Sequence, residues 1–156
     1  MRSAPRISNS EFARRRVELM QLMEPNSIAI LPASQSKNRN GDVEYSFRQD
    51  SDFYYLSGFG ETDSVFVLVP GREHGESILF CRERDEEFER WNGPLSGPDR
   101  ARQLYGIADA FPIEDIDEIL PGMIEGKDKL YYAMGVNRDF DNKIIEWVNS
   151  ISSKKK

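Results

Sequence analysis

Histidine and cysteine, the side chains on which nucleophilic and metal chemistry most often draws, occur once each in these 156 residues, as His74 and Cys81. A lone cysteine closes no internal disulfide, so a reducing compartment is expected. Cys81 itself reads as a buried, inert thiol ending an apolar strand. Any triad or Cys–His pair would have to use His74, which lies between Glu73 and Gly75 in a turn-like stretch and reads as a solvated residue. Long apolar runs are missing too. Nothing approaches the roughly 18 apolar residues of a membrane span. The start, Met1 to Arg6, is not followed by the apolar core of a secretory signal, so the cytoplasm is the expected location. The glycines form neither G-x-G-x-x-G nor G-x-x-x-x-G-K-[ST]. Basic residues cluster only at Arg14-Arg15-Arg16, read as a solvated helix face, and at the Lys154-Lys155-Lys156 end, while the net charge is -6. No nucleic acid and no membrane is therefore an expected partner.

What is present is an ordinary acidic globular composition, with charges well mixed and a length that suits one domain with a single core. Ser8 and Glu11 are spaced as a capping box, and Phe12, Val17, Leu19, Met20 and Met23 follow on one broad side, predicting a helix over Asn9–Met23. Ser27–Leu31 reads as a buried strand, and Ser34–Gly41 as an exposed loop. Val65–Val69 and Ser77–Cys81 are apolar runs joined by a glycine-bearing polar stretch, which predicts an antiparallel hairpin. Short helices are expected over Asp85–Trp91 and Asp99–Tyr105, the second stopped by Gly106. Ala110-Phe111-Pro112 reads as a lead-in to a helix over Ile113–Leu120, whose isoleucines fall three apart. Lys129–Ala133 reads as a strand, and Asp139–Asn149 as a last helix with Ile144, Ile145 and Val148 inward. Alternating helices and strands with one hairpin predict an α/β fold, a mixed β-sheet flanked by helices on its faces.

The stretch Arg48-Gln49-Asp50-Ser51-Asp52-Phe53-Tyr54-Tyr55-Leu56-Ser57-Gly58-Phe59 is the densest in information. It is too sticky for a linker and too polar for a core strand. Asp50 or Ser51 can cap a short helix whose apolar face is Phe53, Leu56 and one tyrosine, with Gly58 stopping it in a left-handed conformation and Arg48 placed to meet a carboxylate. A structural hub is the first reading. Asp50 and Asp52 as paired catalytic carboxylates is the lesser one. In Trp91-Asn92-Gly93-Pro94 the indole follows an acidic helix and precedes a turn, so it either projects from a rim or packs as an ordinary core residue.

Taken in order, Phe12-Ala13-Arg14-Arg15-Arg16, Ser27-Ile28-Ala29-Ile30, the hub, the run Asp63–Val69 and Trp91-Asn92-Gly93 resemble the N-terminal domain of the bacterial aminopeptidase P (Xaa-Pro aminopeptidase) family, of the creatinase/prolidase type. The resemblance covers nearly the whole chain. It implies that residues 1–152 form that domain, with 153–156 the start of a linker or tail and the catalytic metallopeptidase domain absent from this chain. The full enzyme of the family is a hydrolase that releases an N-terminal residue preceding proline. Two manganese or other divalent ions are implied for the missing catalytic domain, and none for this chain, where no catalytic residue and no metal ligand is expected. This segment alone is expected to be inactive.

The partners implied are the chain's own catalytic domain, further copies in a homo-oligomer and a proline-containing peptide. The domain's part would be oligomer contacts and one wall of the substrate cleft. The tryptophan at the family's W-x-G position, here Trp91, reaches the cleft of a neighbouring subunit, and Asp42, with Glu44 nearby, falls where the family carries acids in a loop close to that cleft. Two rivals remain open at this point: a stand-alone protein- or peptide-binding module of the same fold, and the matching domain of a Xaa-Pro dipeptidase (prolidase).

Overall fold

The computed structural model describes residues 7–34 and 51–154. Asp42, Arg48 and Asp50, the loop expected over Ser34–Gly41 beyond Ser34, and the side-chain cap expected for the hub helix lie outside the described residues.

The elements are α1 (Asn9–Leu22), β1 (Ser27–Pro32), α2 (Ser51–Ser57), β2 (Val65–Leu68), β3 (Ser77–Cys81), α3 (Glu86–Asn92), α4 (Pro98–Tyr105), β4 (Asp109–Pro112), a 3-10 turn (Ile113–Asp115), α5 (Ile116–Ile124), β5 (Lys129–Tyr131) and α6 (Arg138–Lys154). The strands form one mixed sheet in the order β4-β3-β2-β1-β5. β2 is antiparallel to both β1 and β3, whereas the edge strands β5 and β4 run parallel to their neighbours β1 and β3. The expected mixed sheet between helices is what forms, and the β2–β3 hairpin falls where the two apolar runs put it.

Both faces of the sheet are covered. Successive strand side chains point to opposite sides, so Ile28, Ile30, Val65, Val67, Ile78 and Phe80 pack against Ile116, Leu120 and Ile124 of α5 and Phe140, Ile144 and Trp147 of α6. On the other side Ala29, Phe66, Leu68, Leu79 and Cys81 meet Phe53 and Leu56 of α2, Phe59, and Ala101 of α4, with Leu19, Met20 and Met23 of α1 against them. Cys81 is fully buried, and burial pushes its thiol pKa up to about 12, so it is inert, as expected.

Several local expectations are corrected. Val17 is 49% exposed, and the fully inward position beside Phe12 belongs to Arg16, which is 5% exposed. The triple-arginine run is thus not a uniform solvated face. The Arg16 guanidinium donates to the Leu56 carbonyl at 2.9 Å and to the Gly106 carbonyl at 3.2 Å, while Arg15 donates to the Tyr55 carbonyl at 3.1 Å. These are carbonyls at the C-terminal ends of α2 and α4, which lack partners within their own helices and carry negative partial charge. In α6, Ile145 and Val148 face outward, and the buried stripe is Phe140, Ile144 and Trp147. That helix also runs to Lys154, past the expected end at Asn149. Asp109–Pro112 forms β4, pairing with β3 where a lead-in was expected, while the helix expected from Ile113 opens as the 3-10 turn before α5. Neither hub tyrosine is buried. Tyr54 meets Phe12 edge to face at 6.0 Å, and the Arg15 guanidinium lies 4.3 Å from the centre of the Tyr55 ring.

Gly58 closes α2 with φ +72°, and a Cβ there would lie 2.6 Å from Cε2 of Phe12. The Gly58→Ala variant is expected to lose about 2 kcal/mol or more in urea unfolding, from left-handed strain plus overpacking. Gly122, in α5 with nothing within 4 Å of an added methyl and no positive φ, should instead gain a few tenths to about 1 kcal/mol on the same change. Arg16→Met is expected to cost about 2–3 kcal/mol, because two helix-end carbonyls lose a charged donor. Arg14→Met, at an exposed position paired with Glu11 and Glu18, should leave the urea midpoint near that of the unaltered chain.

Candidate functional site: the Trp91 loop

The sequence-predicted residues fall in two places. Phe53 is fully buried under α1, and Asp52 is exposed. Asp52 and Tyr55 line an open groove of about 760 Å³ between α1, α2, β1 and the segment after β5; its walls include Leu22, Met23, Leu31 and Val136. Trp91 lies outside that lining, at the end of α3. His74 is an exposed loop residue before the start of β3, whereas Cys81 is buried at that strand's far end. Among the described residues no three His, Cys, Asp or Glu side chains gather to hold a metal ion, and no helix is long and apolar enough to cross a membrane.

Trp91 is 80% exposed on a helix none of whose residues is fully buried. Apolar packing therefore does little to hold α3, and polar contacts set its position. Asp85 caps it, accepting from the Glu87 and Phe88 N–H groups at 3.1 and 3.2 Å. Glu89 reaches back to the Asp85 N–H at 3.2 Å and forward to the Leu95 N–H at 2.8 Å, and takes a contact from Arg84 at 3.1 Å. The hydrogen bond from Leu95 is the main reason its pKa lies below the usual carboxylate range. Gly93 ends the helix. Leu95 is buried, and the next N–H, that of Ser96, donates at 2.9 Å to Glu61, a residue between α2 and β2. Burial raises the pKa of Glu61; the Ser96 contacts and Arg82 oppose that rise, and the charge of Glu89 adds to it. Arg82 stacks 3.6 Å from the centre of the Phe88 ring and pairs with Asp63 at 3.4 Å. Together these contacts fix the helix end and the loop behind it, with Leu95 turned inward and the Trp91 indole in solvent.

The sequence marked Trp91 but not its supports. Glu61 and Glu89 were not among the candidate residues, and an aspartate at position 85 followed by an acid four residues on is the local signal that could have found Glu89.

A family profile described as "Aminopeptidase P, N-terminal domain" matches residues 12–132. The chain is 39% identical over 130 residues to the Xaa-Pro aminopeptidase of Escherichia coli strain K12, covering 83% of this chain and 30% of that protein. It is 34% identical over 140 residues to human Xaa-Pro aminopeptidase 3, covering 82% of this chain and 28% of that one. Among solved structures, that of Pseudomonas aeruginosa aminopeptidase PepP superposes with a TM-score of 0.89 at 60% identity, over 96% of this chain and 34% of that chain. The low-pH form of E. coli aminopeptidase P gives a TM-score of 0.85 at 35% identity, over 94% and 33% respectively. The chain thus spans about a third of the length of the relatives it matches.

Trp91 and the buried Trp147 are the two tryptophans. Trp91→Phe is expected to remove the red-shifted, acrylamide-quenched part of the emission and leave the blue-shifted Trp147. The urea midpoint should stay within about 0.5 kcal/mol of the parent, as for other surface changes.

Proposed function

The chain belongs to the aminopeptidase P family, as that family's N-terminal domain, and from this premise we propose that it is the non-catalytic wall of a cytoplasmic Xaa-Pro aminopeptidase. The observation that carries the reading is the fixed, solvent-facing indole of Trp91. Tryptophan is enriched where proteins meet partners, and this one is presented to solvent by a helix held by polar contacts. In the assembled enzyme the Trp91 ring enters the substrate cleft of a neighbouring subunit and offers its flat face to the peptide, so that the domain supplies an oligomer contact and a specificity wall at once. Asp42 is proposed to border the same cleft.

In this reading a pair of divalent ions, manganese by preference, is held outside these residues and supplies hydroxide and carbonyl polarisation. The His, Cys, Asp and Glu side chains described here form no cluster fitting such ions, so no step is assigned to them. What this chain's own residues do is orient the peptide and exclude water from one side of it.

The 156-residue chain, supplied with manganese and an Xaa-Pro peptide, is expected to show no hydrolysis above background. Robust turnover would overturn the division of labour. In the full-length enzyme that contains this segment, Trp91→Ala should lower kcat/KM for an Xaa-Pro peptide roughly tenfold while the oligomer still assembles, a loss of about 1.4 kcal/mol of contact. An unchanged kcat/KM in an intact oligomer would remove Trp91 from the cleft.

A further inference from the structure

The loop that follows Trp91 is held in an uncommon way. Two carboxylates from distant parts of the chain accept from consecutive main-chain N–H groups: Glu89 takes that of Leu95 at 2.8 Å and Glu61 takes that of Ser96 at 2.9 Å. Successive amides in an irregular segment must find acceptors once Leu95 is buried, and a charged acceptor makes the shorter, stronger kind of bond. The two supports approach from different elements. Glu89 belongs to the same helix as Trp91, and its other oxygen closes back on the Asp85 N–H. Glu61 comes from the connection into β2, and so ties the loop to the sheet.

We propose that Glu61 and Glu89 are positioning residues for Trp91, forming a two-carboxylate clamp that sets the direction of the indole by fixing the backbone on its C-terminal side. The proposal rests on the reading of Trp91 as a cleft residue only for its functional meaning; the clamp itself is a property of this chain. The charged groups facing the clamp are Arg84, bonded to Glu89, and Arg82, which faces Glu61 and pairs with Asp63. The arginines keep two acids tolerable so near each other, and the half-buried Glu61 is the support that joins the loop to the connection into β2.

The test is fluorine NMR of the chain labelled with fluorotryptophan. Its two lines are assigned by the loss of one in Trp91→Phe, and the Trp147 line reports the global fold. Glu61→Ala should narrow the Trp91 line and move it toward the position of the free amino acid while the Trp147 line stays in place. Glu61→Gln, which keeps an acceptor oxygen for Ser96, should restore most of the original line. Glu89→Gln, left with one acceptor oxygen for contacts that used two, should fall between. A Trp91 line unmoved in both Glu61→Ala and Glu89→Gln, with Trp147 unmoved as well, would overturn the clamp. Because no substrate is involved, a moved Trp91 line together with unaltered peptide kinetics for Trp91→Ala would leave the clamp standing and remove only the cleft reading.

Discussion

The hairpin β2–β3 has no polar face. Val65 to Leu68 and Ser77 to Cys81 are buried without exception, so each strand carries apolar side chains on both sides of the sheet. Burying a residue such as Phe66, Leu79 or Phe80 is worth about 1.5–3 kcal/mol, and half of these side chains would be lost to water if either face stood bare. Helices are therefore required on both sides. The chain meets that requirement by sending α1, α2 and α4 to one face and α5 and α6 to the other. The sheet's edges follow from the same constraint. β4 ends in Pro112 and β5 pairs over only Lys129–Tyr131, so the strands that need no second neighbour are short and, in one case, closed by a residue lacking an N–H.

The covering layer on the α1 side depends on a less common device. α2 is a short helix with few backbone bonds of its own, and its last carbonyls would be orphaned beneath α1. Arg15 and Arg16 satisfy them, and Arg16 also reaches the end of α4 at Gly106, so one guanidinium joins three helices. Phe12 packs so closely over Gly58 that a side chain there has no room. The segment from Phe12 to Arg16 and the segment from Tyr54 to Gly58 are thus two halves of one contact, although they stand far apart in the sequence.

This explains which parts of the fold were legible. Capping pairs, alternating or continuous apolar runs and glycine stops are local signals, and they located α1, the hairpin, α4 and the end of α2 to within a residue or two. What failed was the assignment of faces where a polar or aromatic residue held the inner position. Val17 is the apolar choice on α1, yet Arg16 is the one that faces the carbonyls. Ile145 and Val148 are the aliphatic choices on α6, yet Phe140 and Trp147 stack edge to face at 5.8 Å and take the core. β4 was missed because four residues ending in proline carry no strand signal alone; it exists because β3 leaves an open edge beside the end of α4. Of the candidate site, Trp91 was legible as an odd tryptophan. Its supports were not, since nothing local distinguishes a clamping glutamate from a solvated one.

The two tryptophans are held in contrasting ways. Trp147 is enclosed by α6 and the sheet, and its contribution is apolar area. Trp91 gives up that contribution, and α3 is held instead by a cap, an arginine stacked on Phe88 and carboxylates bonded to the loop behind it. Directional bonds of this sort add little net free energy each, but they restrict geometry far more than apolar contact does. A side chain that must meet something beyond its own domain needs direction more than it needs binding to its own core. The polar scaffold under Trp91 leaves the two apolar cores to carry the stability of the fold without constraining where the indole points.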